Sequence, residues 1–69
     1  MPLSIVNAGE PYNIKKIGGK EEVRRHLENL GFVVGGVVTV VSEINGSLIV
    51  NVKDSRVAIG KDMANKIMV

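Results

Sequence analysis

His26 is the only histidine in the chain, and Glu22 stands four residues before it. On a helix the two share a face, and an i, i+4 Glu–His pair can hold a divalent ion. Two ligands make only a weak site, and a third would have to come from a second chain. No metal centre is therefore expected in the monomer. His26 and Glu22 are the candidates for a weakly held divalent ion, and no cofactor is expected beyond it. The carboxylates of Glu10, Glu21, Glu22, Glu28, Glu43, Asp54 and Asp62 are scattered, with no pair set up for acid–base work. Ser4, Ser42, Ser47 and Ser55 have no neighbouring base to activate them. Gly18-Gly19-Lys20 lacks the GxxxxGK[ST] spacing of a phosphate loop and reads as a strand-to-helix break. These absences point away from an enzyme.

Residues suited to binding are easier to find. Lys15, Lys16, Lys20, Arg24 and Arg25 form a basic cluster around the start of a helix. It is either a solvated face or a docking face for an acidic partner surface or for anionic lipid beside a membrane partner. Phe32, Val33 and Val34 follow the helix, three apolar residues where one capping contact needs one. Phe32 is assigned to the core. An exposed Val33 or Val34 would mark an interaction site. The partner-binding candidates are thus Lys15, Lys16, Arg24, Arg25, Val33 and Val34. A net charge of +2 and only 3% aromatic residues argue against a nucleic-acid binder, which wants a basic stripe with stacking rings. The same scarcity, with Tyr12 and Phe32 alone, disfavours an aromatic-lined peptide groove.

The elements that position these residues can be read from periodicity. Val23, Leu27 and Leu30 lie at i, i+4 and i+7, which predicts a helix over 20–30. Glu21–Arg25 and Glu22–His26 add i, i+4 pairs with the acid first. Gly31 sits where a helix end needs a left-handed residue. Leu27 and Leu30 are expected to pack against Val38, Val40 and Ile59.

The rest reads as short strands. Residues 3–6 suit a short strand or a single helical turn, and 12–17 a strand with Lys15-Lys16 on a solvated edge. The β-branched run 37–41 is apolar on both faces and is expected to be a central strand. Asn45-Gly46 is a strong hairpin signal leading into a strand over 48–53. Asp54-Ser55 makes a second turn and 56–59 a third strand. A helical turn at 61–66 and a last strand at 67–69 finish the pattern. Five to six short strands with one helix after the first long strand suit a small SH3-like barrel, closure removing exposed edges. The helix would plug one open end.

A chain of 69 residues is one small domain, 1–69, near the stability margin. It has no cysteine, so a disulfide scaffold, a thiolate zinc site and an iron–sulfur site are excluded, and a reducing cytoplasm fits. The first residues carry no basic n-region or long apolar h-region, so no signal peptide is expected. No apolar run approaches the roughly 20 residues of a membrane span. Action at a membrane would go through a partner rather than direct insertion.

The segment Arg24-Arg25-His26-Leu27-Glu28-Asn29-Leu30-Gly31-Phe32-Val33-Val34-Gly35 resembles the hallmark of the FeoA family of ferrous iron transport proteins. There the pattern is Arg-x-x-Leu-x-x-Leu-Gly-Φ-x-Pro-Gly, with Φ apolar, followed by a valine-rich strand. Leu27, Leu30, Gly31 and Gly35 match. Val34 stands where the family commonly has proline, which implies a looser turn. Leu3, Val6 and Gly9 resemble the family's opening, Ile14 and Ile17 its first strand, Val57-Ala58-Ile59 its last long strand, and Ala64, Ile67 and Val69 its ending. The resemblance implies an SH3-like barrel, in the cytoplasm, that contacts or regulates the FeoB-type membrane permease without catalysing anything. The same domain occurs at the C-terminus of DtxR-type repressors, so a stand-alone metal-binding or metal-sensing domain is the alternative. A homo-oligomer is left open.

Overall fold

The computed structural model describes residues 1–69. A 3-10 turn over Leu3–Ile5 opens the chain and buries Leu3 completely. The strands are β1 (Pro11–Asn13), β2 (Lys16–Ile17), β3 (Val37–Ile44), β4 (Ser47–Val52), β5 (Ser55–Gly60) and β6 (Ile67–Met68). Helix α1 (Glu21–Leu30) lies between β2 and β3, and the four-residue α2 (Lys61–Ala64) between β5 and β6. β1, β3, β4 and β5 form an antiparallel sheet in the order β1-β3-β4-β5, and β2 pairs with β6 in a separate ribbon. Between them lies one cluster of thirteen buried residues, all apolar, so no side chain inside needs a hydrogen-bond partner.

Local chemistry explains the long elements. In β4, Leu48, Val50 and Val52 are buried and alternate with half-buried neighbours, the period-2 pattern of a strand with one face on a core. Asn45 and Gly46 both take positive φ, +49° and +80°, as a tight primed hairpin turn requires. β3 carries an extra residue: Val40 pairs with Val50 but Ser42 with Ile49, leaving Val41 unpaired. Such a bulge bends its strand and increases the twist.

Three expectations need correction. The predicted strand over 12–17 is two strands in different sheets. Ile14 N–H donates to Gly36 O at 2.8 Å, whereas Lys15 N–H donates to Met68 O at 2.7 Å, so the chain changes partner between them. β3 is an interior strand of the sheet, as expected, and only one of its apolar faces is covered: Val38 and Val40 are buried while Val37 and Val41 are exposed. Leu30 is only half-buried, whereas Leu27 is fully buried in the cluster with Val38, Val40 and Ile59. The chain reverses directly after Leu30 and swings Phe32 into the core in its place. Finally, the β4–β5 turn falls on Lys53-Asp54 rather than Asp54-Ser55, since Ser55 already pairs with Val52 and Lys53 takes φ +54°.

The end of α1 sets the course of the chain beyond it. Gly31 takes φ +111°, its N–H donates to Glu28 O, and Phe32 N–H donates to Leu27 O, both at 2.9 Å. This is a Schellman motif, and its usual hydrophobic contact joins Phe32 with Leu27. Both side chains are fully buried, so the cap and the core fix each other.

A basic and apolar cleft between β2 and α1

The reversal after Phe32 carries the chain back toward β2. Gly36 N–H donates to Val33 O at 2.9 Å, closing a turn over 33–36. Gly35, in its third position, takes φ +89°, which marks a type II turn and explains the glycine there. The turn is therefore closed, not loosened, although Val34 occupies the place that favours proline. Gly35 N–H donates to Ile14 O and Gly36 O accepts from Ile14 N–H, both at 2.8 Å. These two bonds tie the turn to the segment leading into β2.

A cleft of about 420 Å³ lies between these segments and the exposed face of α1. Lys15, Lys16 and Ile17 come from β2 and its approach, Arg24 and Glu28 from α1, and Val33 and Val34 from the turn. Val34 is 64% exposed, and Val33 is half-buried. Five of the six partner-binding candidates thus meet in one concavity. Arg25 does not join them. One residue further along a helix is about 100° further around it, and Arg25 instead bonds Glu21 at 2.9 Å on another face. Ile17 and Glu28 line the cleft although sequence reasoning did not single them out. Glu28 stands four residues after Arg24, a spacing that puts them on one face, so that signal was available.

The electrostatics of the cleft are simple. Its three cations and one carboxylate leave it with two net positive charges. Of the nine Lys and Arg and seven Asp and Glu in the chain, six of each lie elsewhere, so the whole formal excess of +2 sits in the cleft. The ion pairs of the structure are Arg25–Glu21 and Lys61–Glu43, and neither involves a cleft residue. Lys15, Lys16 and Arg24 are exposed and uncommitted. The arrangement sets the apolar groups of Ile17, Val33 and Val34 beside the cations of Lys15, Lys16 and Arg24.

His26 and Glu22 are both exposed on α1 and make no ion pair with each other. No group of three or more His, Cys, Asp or Glu side chains that could hold a metal ion converges in the structure. A shallower concavity of about 480 Å³ lies at the β4–β5 turn. Its lining is wholly polar, with Arg56 Nε donating to Asn51 Oδ1 at 3.1 Å, and it offers no apolar anchor. Tyr12 Oη donates to Glu10 Oε2 at 2.9 Å. That bond, with some desolvation, holds the phenol pKa above its ordinary value near 10.

The fold and sequence match known proteins closely. The family model for the FeoA domain matches residues 1–69. The chain belongs to the FeoA family. It is 35% identical over 68 residues to a Methanocaldococcus jannaschii protein named Fe(2+) transport protein A, covering 99% of this chain and 83% of that one. A crystal structure of an iron uptake regulatory protein, FeoA, superposes with a TM-score of 0.90 at 29% identity, over 99% of this chain and 92% of the other. Stenotrophomonas maltophilia FeoA, solved with zinc and described as a prokaryotic SH3 domain protein, gives a TM-score of 0.84 at 24% identity, over 99% and 87% of the two chains. The predicted SH3-like fold is therefore the observed one. A manganese-dependent transcriptional repressor shares that fold, with a TM-score of 0.87 at 18% identity, and this chain spans 39% of its length.

Proposed function

We propose that the protein is a non-catalytic accessory factor of ferrous iron uptake. It works in the cytoplasm and docks, through the cleft between β2 and α1, on the cytosolic side of a FeoB-type permease. The observation that carries this reading is the match of the whole chain, residues 1–69, to the FeoA domain. The relative named for Fe(2+) transport supports the same system. The cleft supplies a seat, with an apolar anchor at Val33 and Val34 and uncommitted cations at Lys15, Lys16 and Arg24. No helix is long and apolar enough to cross a membrane, so the proposal places the membrane span in the partner. Metal sensing is the weaker reading, because it rests on a shared fold at low identity and finds no converging ligands.

The test is direct binding to the purified cytosolic portion of the permease, measured at low and at high salt. The proposal expects one-to-one binding that weakens as salt rises, since flanking charges are screened. Absence of binding at low salt would overturn it.

A further inference from the structure

The distribution of charge carries the docking reading one step further. The surface outside the cleft is balanced, six cations against six carboxylates, and the ion pairs Arg25–Glu21 and Lys61–Glu43 both lie within it. The cleft holds all of the excess charge, and its own carboxylate, Glu28, pairs with none of the three cations around it. Solubility alone does not call for unpaired cations gathered around exposed apolar groups, since cations elsewhere on this chain are matched in number by carboxylates. We propose that the cleft seats an acidic peptide segment carrying at least one large apolar side chain, contributed by the docking partner. This rests on the docking reading and adds the chemistry of what is docked.

Three observations favour this occupant. Ile17, Val33 and Val34 offer apolar contact at the cleft, so a purely acidic ligand would leave them unused. Lys15, Lys16 and Arg24 come from two different segments facing one concavity, a shape that fits an inserted chain better than a flat bilayer. Outside the cleft a second copy of this chain carries no net negative charge to complement the cations, with six cations against six carboxylates. Glu28 acts as a discriminator. Its carboxylate repels the acidic groups of any ligand and penalises most those that are acidic throughout.

The experiment uses labelled synthetic peptides and fluorescence anisotropy with the full chain. The probes are Glu-Glu-Leu-Phe-Glu-Glu, its neutral counterpart Gln-Gln-Leu-Phe-Gln-Gln, and its apolar-deleted counterpart Glu-Glu-Ser-Ser-Glu-Glu. The first should bind at least about tenfold more tightly than either control, and more weakly as salt rises. Lys16→Glu combined with Arg24→Glu should abolish that preference, with folding checked by circular dichroism. Glu28→Gln should tighten the first peptide about two- to fivefold, the range of one exposed charge contact, which a merely structural role would not produce. Equal binding of all three peptides, or none, overturns the proposal. So does binding to phosphatidylserine vesicles that outcompetes the acidic-apolar peptide, or self-association of the chain that the peptide does not displace. The two levels separate cleanly. If the permease binds but ignores the Lys16/Arg24 reversal, the cleft is the wrong seat, and only the association with the permease stands. If the peptide preference holds and the permease does not bind, the cleft chemistry stands and the partner is wrong.

Discussion

Replacing Gly31 by alanine isolates the contribution of one backbone conformation. Gly31 takes φ +111° and ψ 1° at the end of α1, outside the range an L-residue adopts easily. A left-handed conformation costs an L-residue about 1–2 kcal/mol. Packing adds little, because a Cβ built there meets its nearest neighbour, Val52 Cγ1, at 3.5 Å, an ordinary contact. The unfolded chain loses some freedom on gaining a Cβ, which offsets about 0.4–1 kcal/mol. The net loss should be about 1 kcal/mol, and in a domain of this size that lowers Tm by about 4–8 °C. Urea and thermal melts followed by circular dichroism measure it, and the helical signal before the transition should be unchanged. Gly31→Asn should cost less, since asparagine tolerates the left-handed region. An unchanged Tm would refute the reasoning, because the reversal after α1 would then not depend on this conformation. A loss as large as that of a core truncation would refute it too, by showing that steric exclusion rather than backbone strain governs the site.

Leu27 is fully buried beneath this cap, and Leu27→Ala should cost about 2–5 kcal/mol, enough to unfold much of so small a domain at room temperature; a denaturant melt checks it. Val34→Pro should leave stability unchanged or raise it by about 0.4–1 kcal/mol, because Val34 occupies the second position of a type II turn and its N–H donates no backbone hydrogen bond; a lower Tm would show that the turn is of another type. Tyr12 is the only tyrosine and there is no tryptophan, so ultraviolet titration reads it alone. Its hydrogen bond to Glu10 raises the pKa, so the midpoint should lie above about 10 and Glu10→Gln should bring it down. Since the native state favours the protonated phenol, this contact stabilises the fold below the unfolded-state pKa and is lost as pH rises through the folded-state value.

The features legible in the sequence are those set by neighbours along the chain. Leu27, Gly31 and the Asn45-Gly46 hairpin are short-range signals, and each appears where local chemistry puts it. The break between β1 and β2 was not legible, because it arises from Ile14 and Lys15 bonding to different distant segments, Gly36 and Met68. Leu30 has the helical spacing of a core residue, but it lies in the last turn, and Phe32 folds back into the core through the cap. The candidate site was half legible. Basic and apolar residues were identifiable, but their meeting depends on the turn over 33–36 being tied to Ile14. Arg25 falls outside the cleft, and its spacing from Glu21 already announced the pair the structure contains. Lys53 is the remaining surprise, a lysine in a left-handed conformation that propensity does not favour.

The most direct test of the account is uptake of radiolabelled ferrous iron in cells lacking their own copy of this protein. Cells are complemented with the native chain, with the Lys16→Glu/Arg24→Glu variant, or with Arg25→Glu, and each variant is shown separately to be folded. The account predicts that the native chain restores uptake, that the double reversal in the cleft does not, and that Arg25→Glu, outside the cleft, restores it nearly in full. Full rescue by the folded cleft variant, or ferrous uptake that is unaffected by loss of the protein altogether, would contradict it.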